Sequence, residues 1–153
     1  MADAYTAKDV IQLTDYQGEF TLSDFADGTI AELTAPNELA TVVTGYNGNG
    51  LGAHNEPGRQ RQLNLRLVKG SQDDKRLNET YELWKQRDTR FKPIKASFTK
   101  NISHSDGSTT HDTVECYFGL PTGVPSQSVD TTGNVDQVVS IYTLTFADYK
   151  RIV

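Results

Sequence analysis

The stretch Gln62-Leu63-Asn64-Leu65-Arg66-Leu67-Val68 alternates leucine with polar side chains. A period of two sends successive side chains to opposite faces, so the stretch reads as a strand with its leucines on one face and Asn64 and Arg66 on the other. Gly70-Ser71 ends it and opens the one convincing helix pattern, over about residues 72–89. Ser71 stands where an N-cap belongs, with Asp74 at the capping-box spacing. Asp73 and Asp74 in the first turn, and Lys85 and Arg87 in the last, complement the helix dipole. Leu77, Tyr81 and Trp84 recur four and three apart and make one narrow apolar stripe, and Pro93 bars continuation. A lone amphipathic helix needs a sheet on which to bury that stripe.

The flanking sequence supplies strands. Val10, Ile11 and Leu13 open a short one, and Phe20-Thr21-Leu22 follows a turn at Asp15–Gly18. Asp27-Gly28 is a tight-turn signal that predicts a hairpin between Phe20–Phe25 and Thr29–Thr34. Ala40–Tyr46 reads as a strand. Residues 45–61, rich in Gly, Asn and charge, read as a long exposed loop or the tip of an extended hairpin. Ile94, Ala96, Phe98, Lys100 and Ile102 share one face of a long strand. Ser105-Asp106-Gly107-Ser108 turns it back into Thr109–Leu120. Residues 121–134 form a second polar loop, and Val135–Tyr149 is a final long strand. On that strand Val138, Tyr142, Leu144 and Phe146 oppose Val139, Ile141, Thr143 and Thr145, which predicts that both faces are covered or shared with a neighbour. Strands this long, with few prolines, are an aggregation hazard unless partners cover their edges. Controlled pairing between subunits turns that hazard into assembly.

The chain of 153 residues suits one domain, 1–153, with a lean core drawn from a 36% hydrophobic composition. Its formal net charge of −5 disfavours tight nucleic-acid binding. The single cysteine, Cys116, excludes an internal disulfide, and no segment has signal-peptide or membrane-spanning length, so no membrane role is expected.

Ala7-Lys8-Asp9-Val10, Asp24-Phe25-Ala26-Asp27-Gly28-Thr29-Ile30 and Gly45-Tyr46-Asn47-Gly48, followed by the passage from the Gln62–Val68 strand through Ser71 and Asp74 to Leu77, resemble the tail-tube proteins of contractile-tailed bacteriophages. The second stretch is similar to that family's Gly-Phe-Ala-Asp-Gly-Thr turn, with Ser23-Asp24 where a Gly often precedes the Phe. The third is similar to its Gly-Xaa-Asp-Gly turn, with Asn47 in the acidic position. The resemblance rests on order and spacing over about 120 residues. It implies a mainly β fold, a β-sandwich or barrel-like sheet with one flanking helix. It also implies hexameric rings of this chain stacked into a tube inside a contractile sheath, meeting baseplate and terminator proteins in the virion. The genome passes through the lumen without specific binding. An acidic lumen repels DNA, so Glu and Asp are expected on lumen-facing positions of the long strands. Gly48, Gly50, Leu51, Arg59 and Arg61, within 45–61, are the candidate inter-subunit contacts, and 121–134 is the second candidate arm. A tail terminator or related ring protein shares the fold and is the nearest alternative.

Other chemistries are weaker. The run Gly48–Ala53 lacks the helix that a phosphate-cradling loop needs, since Pro57-Gly58 follows. His104, Asp106, His111 and Asp112 flank a hairpin turn and are the one grouping from which a metal site or hydrolase could be imagined, but without tight ligand spacing. Cys116 and His111, five apart on a strand, point to opposite faces and make no nucleophile–base pair. A monomeric sugar-binding β-sandwich would need exposed loop aromatics, and the two loops offer Tyr46 alone. Neither catalytic residues nor a cofactor or metal are expected. Gly58-Arg59-Gln60-Arg61, the compact basic spot, suits salt links to an acidic neighbour.

Overall fold

The computed structural model describes residues 10–26, 30–127, 131, 133 and 138–153. The elements are β1 (Val10–Asp15), β2 (Gly18–Thr21), β3 (Ala31–Thr34), β4 (Ala40–Thr44), β5 (Gly50–His54), β6 (Arg61–Val68), α1 (Gln72–Lys85), β7 (Ile94–Ser103), β8 (Thr109–Gly123) and β9 (Val139–Ile152). Seven strands make one antiparallel sheet in the order β2-β1-β7-β8-β9-β6-β3, and β4 and β5 form a separate hairpin.

The leucine alternation of β6 is realised as read: Leu63, Leu65 and Leu67 are fully buried. They meet Tyr142, Leu144 and Phe146 of β9, Leu13 of β1, Ile94 and Ala96 of β7, and Cys116 of β8 in one core. Leu77 and Tyr81 of α1 join that core. The Tyr81 and Tyr142 rings meet edge to face at 5.0 Å, and the Tyr81 hydroxyl donates to the Thr143 carbonyl at 2.8 Å.

The predicted hairpin between 20–25 and 29–34 does not form. β2 pairs with β1, whereas β3 pairs with β6 at the far edge of the sheet. Residues 22–26 form a strap between the two sides of the sheet. Leu22 N–H donates to Ile11 on one side; Ala26 N–H donates to Arg66, and Val68 N–H to Asp24, on the other. Leu22 and Ala26 of the strap are themselves buried and Phe25 bridges Leu67, so this packing outweighs pairing of β2 with β3. The Asp27-Gly28-Thr29 signal itself, like Ala7-Lys8-Asp9, lies outside the described residues.

The helix ends at Lys85, short of residue 89. Arg87 takes a left-handed φ of 55°, its N–H donates to Trp84, and Asp88 N–H donates to Leu83, which reverses the chain before Pro93 can act. Arg87 therefore lies beyond the last turn. Of the expected stripe, Trp84 is 44% exposed, and Thr80 and Leu83 are buried instead. Residues 45–61 are a hairpin tip as one reading had it, but not a long loop: β5 and a 3-10 turn at Glu56–Arg59 fill most of them. The loop expected from residue 121 starts later, because β8 runs through Pro121 to Gly123. Its β7 neighbour begins opposite Gly119, so Pro121 pairs with Leu144 of β9 alone and has no β7 partner. β9 is assigned from Val139; Val135 lies outside the described residues. Tyr142, Leu144 and Phe146 face the core as read, while Val139 is buried and Val138 exposed.

Candidate assembly surfaces

Strand register gives the body two unlike ends. At one end β3 finishes, β6 begins, the β7–β8 turn lies and β9 finishes. At the other β6 runs into α1, β8 finishes and β9 begins.

The β4–β5 hairpin leaves the first end. Its strands are joined in register from Ala40↔His54 to Thr44↔Gly50, and every residue of both is exposed. Val42 and Leu51 are 72% exposed, and Val43 and the tip residue Tyr46 are open to solvent as well. At the tip Gly48 N–H donates to the Gly45 carbonyl. A two-stranded ribbon buries too little to be stable alone, and exposed aliphatic side chains on it mark a contact surface.

The root of this arm is tied down. Asn55 donates from its side chain to the Glu38 carbonyl at 2.7 Å and from its backbone to the Leu39 carbonyl. Gly58 is buried so closely against Glu38 that a Cβ there would stand 2.3 Å from the Glu38 carbonyl oxygen. The candidate basic residues serve the same root. Arg61 donates to the Gly58 and Gln60 carbonyls and lies 3.6 Å over the Tyr149 ring, while Arg59 reaches Glu56 at 3.5 Å and Asp148 at 4.0 Å. Of the five candidate contacts, then, the structure places Gly48, Gly50 and Leu51 on the free arm. It places Arg59 and Arg61 where the arm meets β9.

At the opposite end a cleft of about 670 Å³ opens between α1 and residues 121–127. Trp84, Val124, Pro125 and Tyr81 supply its apolar wall, and Lys69, Lys75 and Lys85 its cations. Its acids are Glu82 and Asp74; Asp74 is already occupied, accepting from Gly70 N–H at 2.8 Å and from the Tyr142 hydroxyl. Sequence reasoning missed this cleft, because its walls lie far apart in the chain. The exposed Trp84 was its one signal, and helical spacing alone assigned that residue to the core.

The residues of the imagined chemistries are dispersed. His104 Nε2 bonds Thr110 at 2.7 Å, Asp106 accepts from Ser108 in its own turn, His111 bonds Asn101, and Asp112 holds Arg151 at 2.8 Å. No three His, Cys, Asp or Glu side chains converge on a metal position among the described residues. The Cys116 thiol is buried, and burial pushes it up to about 11. No helix is long and apolar enough to cross a membrane among the described residues.

No protein-family model matches the chain, and no curated protein does. Solved structures do. The tube-terminating cap of the anti-feeding prophage is similar with a TM-score of 0.62 at 13% identity, over 99% of this chain and 91% of that one. The sheath/tube terminator of the extracellular contractile injection system PVC, in its extended state, gives 0.57 at 14%, over 99% and 97%. The sheath–tube complex of that system gives 0.55 at 12%, over 94% and 88%. The chain thus has the fold of tube and cap proteins of contractile injection systems.

Proposed function

We propose that the chain is a structural subunit of a contractile tail: one domain that self-associates into rings, hexameric by the resemblance, which stack into the inner tube. The observation that carries the reading is the exposed apolar β4–β5 arm on a body whose fold is shared with tube and cap proteins. Strand hairpins with free edges and aliphatic faces are stable when a neighbour covers them. Gly48, Gly50 and Leu51 are then contact residues of the arm, and Arg59 and Arg61 hold its root in position. The sheath, the baseplate and a terminator are the heterologous partners, the virion tail is the location, and the genome is the cargo. The role is mechanical and needs no catalysis.

The terminator reading has its own support, since the likeness to a cap spans 99% of the chain. Negative-stain electron microscopy of the purified chain, with its sedimentation profile, separates the two. Stacked hollow tubes are expected of a tube subunit and single closed rings of a terminator. A homogeneous monomer at high concentration, unchanged when sheath and baseplate proteins are added, would overturn both.

A further inference from the structure

We infer that the tip of the β4–β5 arm is a self-modification site, at which Asn47 loses its side-chain amide and becomes aspartate or isoaspartate. The site is independent of the tube reading; only its effect on assembly rests on it. Of the eight asparagines in the chain, Asn47 and Asn49 alone precede glycine. The main-chain nitrogen after an asparagine can close a five-membered ring on the side-chain carbonyl. Glycine hinders that closure least, having no Cβ and a wide choice of φ and ψ. Asparagine counts among the thermolabile residues.

Both asparagines lie in the turn between β4 and β5, and both are exposed. The geometry favours position 47. Asn47 Oδ1 accepts from Asn49 N–H at 3.3 Å, an Asx turn that folds the side chain back along its own main chain. That donor sits on the oxygen that gains negative charge when the Gly48 nitrogen adds to Cγ. Gly48 has a φ of 85° and open space where a Cβ would stand, so water reaches the ring. The Gly48 N–H donates to the Gly45 carbonyl at 3.0 Å and must leave it to react. A ribbon with no buried residue opens at small cost.

In the first step Gly48 N bonds to Asn47 Cγ and gives its proton to solvent. The Cγ–Nδ2 bond breaks and the nitrogen leaves as ammonia. Water then opens the ring at one carbonyl to give aspartate, or at the other to give isoaspartate, whose main chain runs through the former side chain. The net change is one water consumed, one ammonium released and one negative charge gained. Residues 40–54 contain no Asp, Glu, Lys or Arg, so this carboxylate is the first formal charge among them, on the same arm as the exposed Val42, Val43 and Leu51. Covering it with a neighbour means desolvating it. A subunit that ages before assembly is thereby excluded, and one whose tip is already covered is spared.

The test incubates the full chain in heavy-oxygen water from neutral to mildly alkaline pH, as dilute subunit and as assembled material, and maps it by peptide mass spectrometry. Each event fixes one heavy oxygen at its site. Heavy oxygen is expected at position 47 ahead of every other asparagine. It should appear faster as pH rises, because the attacking nitrogen must lose its proton, and more slowly in assembled material. It should be lost in Asn47→Gln, whose longer side chain would need a six-membered ring. Asn47→Asp carries the charge from the outset and can still accept the Asn49 N–H. It is expected to raise the concentration needed for association roughly tenfold, with Asn47→Gln close to the parent. Heavy oxygen at position 47 no higher than at Asn55 or Asn78 overturns the site and leaves the tube reading standing. Heavy oxygen at position 49 alone overturns the assignment to Asn47. Asn47→Asp associating like the parent overturns the effect on assembly. No association of fresh chain at any concentration, with or without sheath and baseplate proteins, removes the tube reading and that effect, while the mapping still decides the site.

Discussion

Asp15 is the residue on which the helix is pinned. Its side chain is buried and receives Arg76 through two nitrogens, each at 3.1 Å, with the Thr80 hydroxyl and Gln17 N–H as further donors. Removing one partner of such a pair leaves the other charge uncompensated, and because Arg76 is partly exposed the lower end of the usual range applies. Asp15→Ala should therefore cost about 3 kcal/mol in urea denaturation. Asp73 likewise does more than complement a dipole: its carboxylate accepts from Ser23 N–H at 2.8 Å and Asp24 N–H at 3.0 Å, locking the strap to the helix start. That role was illegible in the sequence, since its partners lie some fifty residues away, whereas Ser71 as N-cap of Asp74 was legible because capping is local. Titration gives a second prediction at this scale. Cys116, with an ordinary value of 9.0, is raised to about 11 by burial. Tyr81 and Tyr142 are also raised, chiefly by burial, and for Tyr142 by the Asp74 carboxylate as well. In each case the folded state holds its proton above the pH at which the unfolded chain loses it. This stabilisation is complete below pH 9 and falls as pH rises above it, so urea midpoints should decline from about pH 9 upward.

At the scale of elements, the periodic strands and the one helix could be read directly, because burial imposes a period and period is visible. Pairing was not so visible. Asp27-Gly28 argues for a local hairpin, yet the buried Leu22 and Ala26 and the bonds to β6 show the edges being joined instead. The β5 strand was hidden by its composition: three of the six residues Gly48 to Ala53 are glycine, and only pairing with β4 makes the segment extended. The same pairing makes the arm separable from the core. The chain with residues 41–53 replaced by Asn-Gly should keep its far-ultraviolet circular dichroism and unfold within about 1 kcal/mol of the parent, because no residue of β4 or β5 is buried. It should nonetheless fail to form tubes in the electron microscope. Gly119→Ala, by contrast, sets a methyl about 2.4 Å from the Phe146 ring inside the sheet and should destabilise by about 1–3 kcal/mol in the same urea assay.

For the whole molecule, the fold class was in reach of the sequence and the candidate surfaces were only half so. The arm could be anticipated from its polarity and turns. The cleft needs α1, β9 and the end of β8 brought together, and nothing local announces it. The dissimilarity of the two ends has a further consequence. On the tube reading, copies that join front to back make a column with a direction, in which the two tips differ chemically even though every piece is identical. Growth and arrest become separate problems at separate tips. On the tube reading, a single molecule that fits only one tip would set the length of the whole column without touching any subunit inside it.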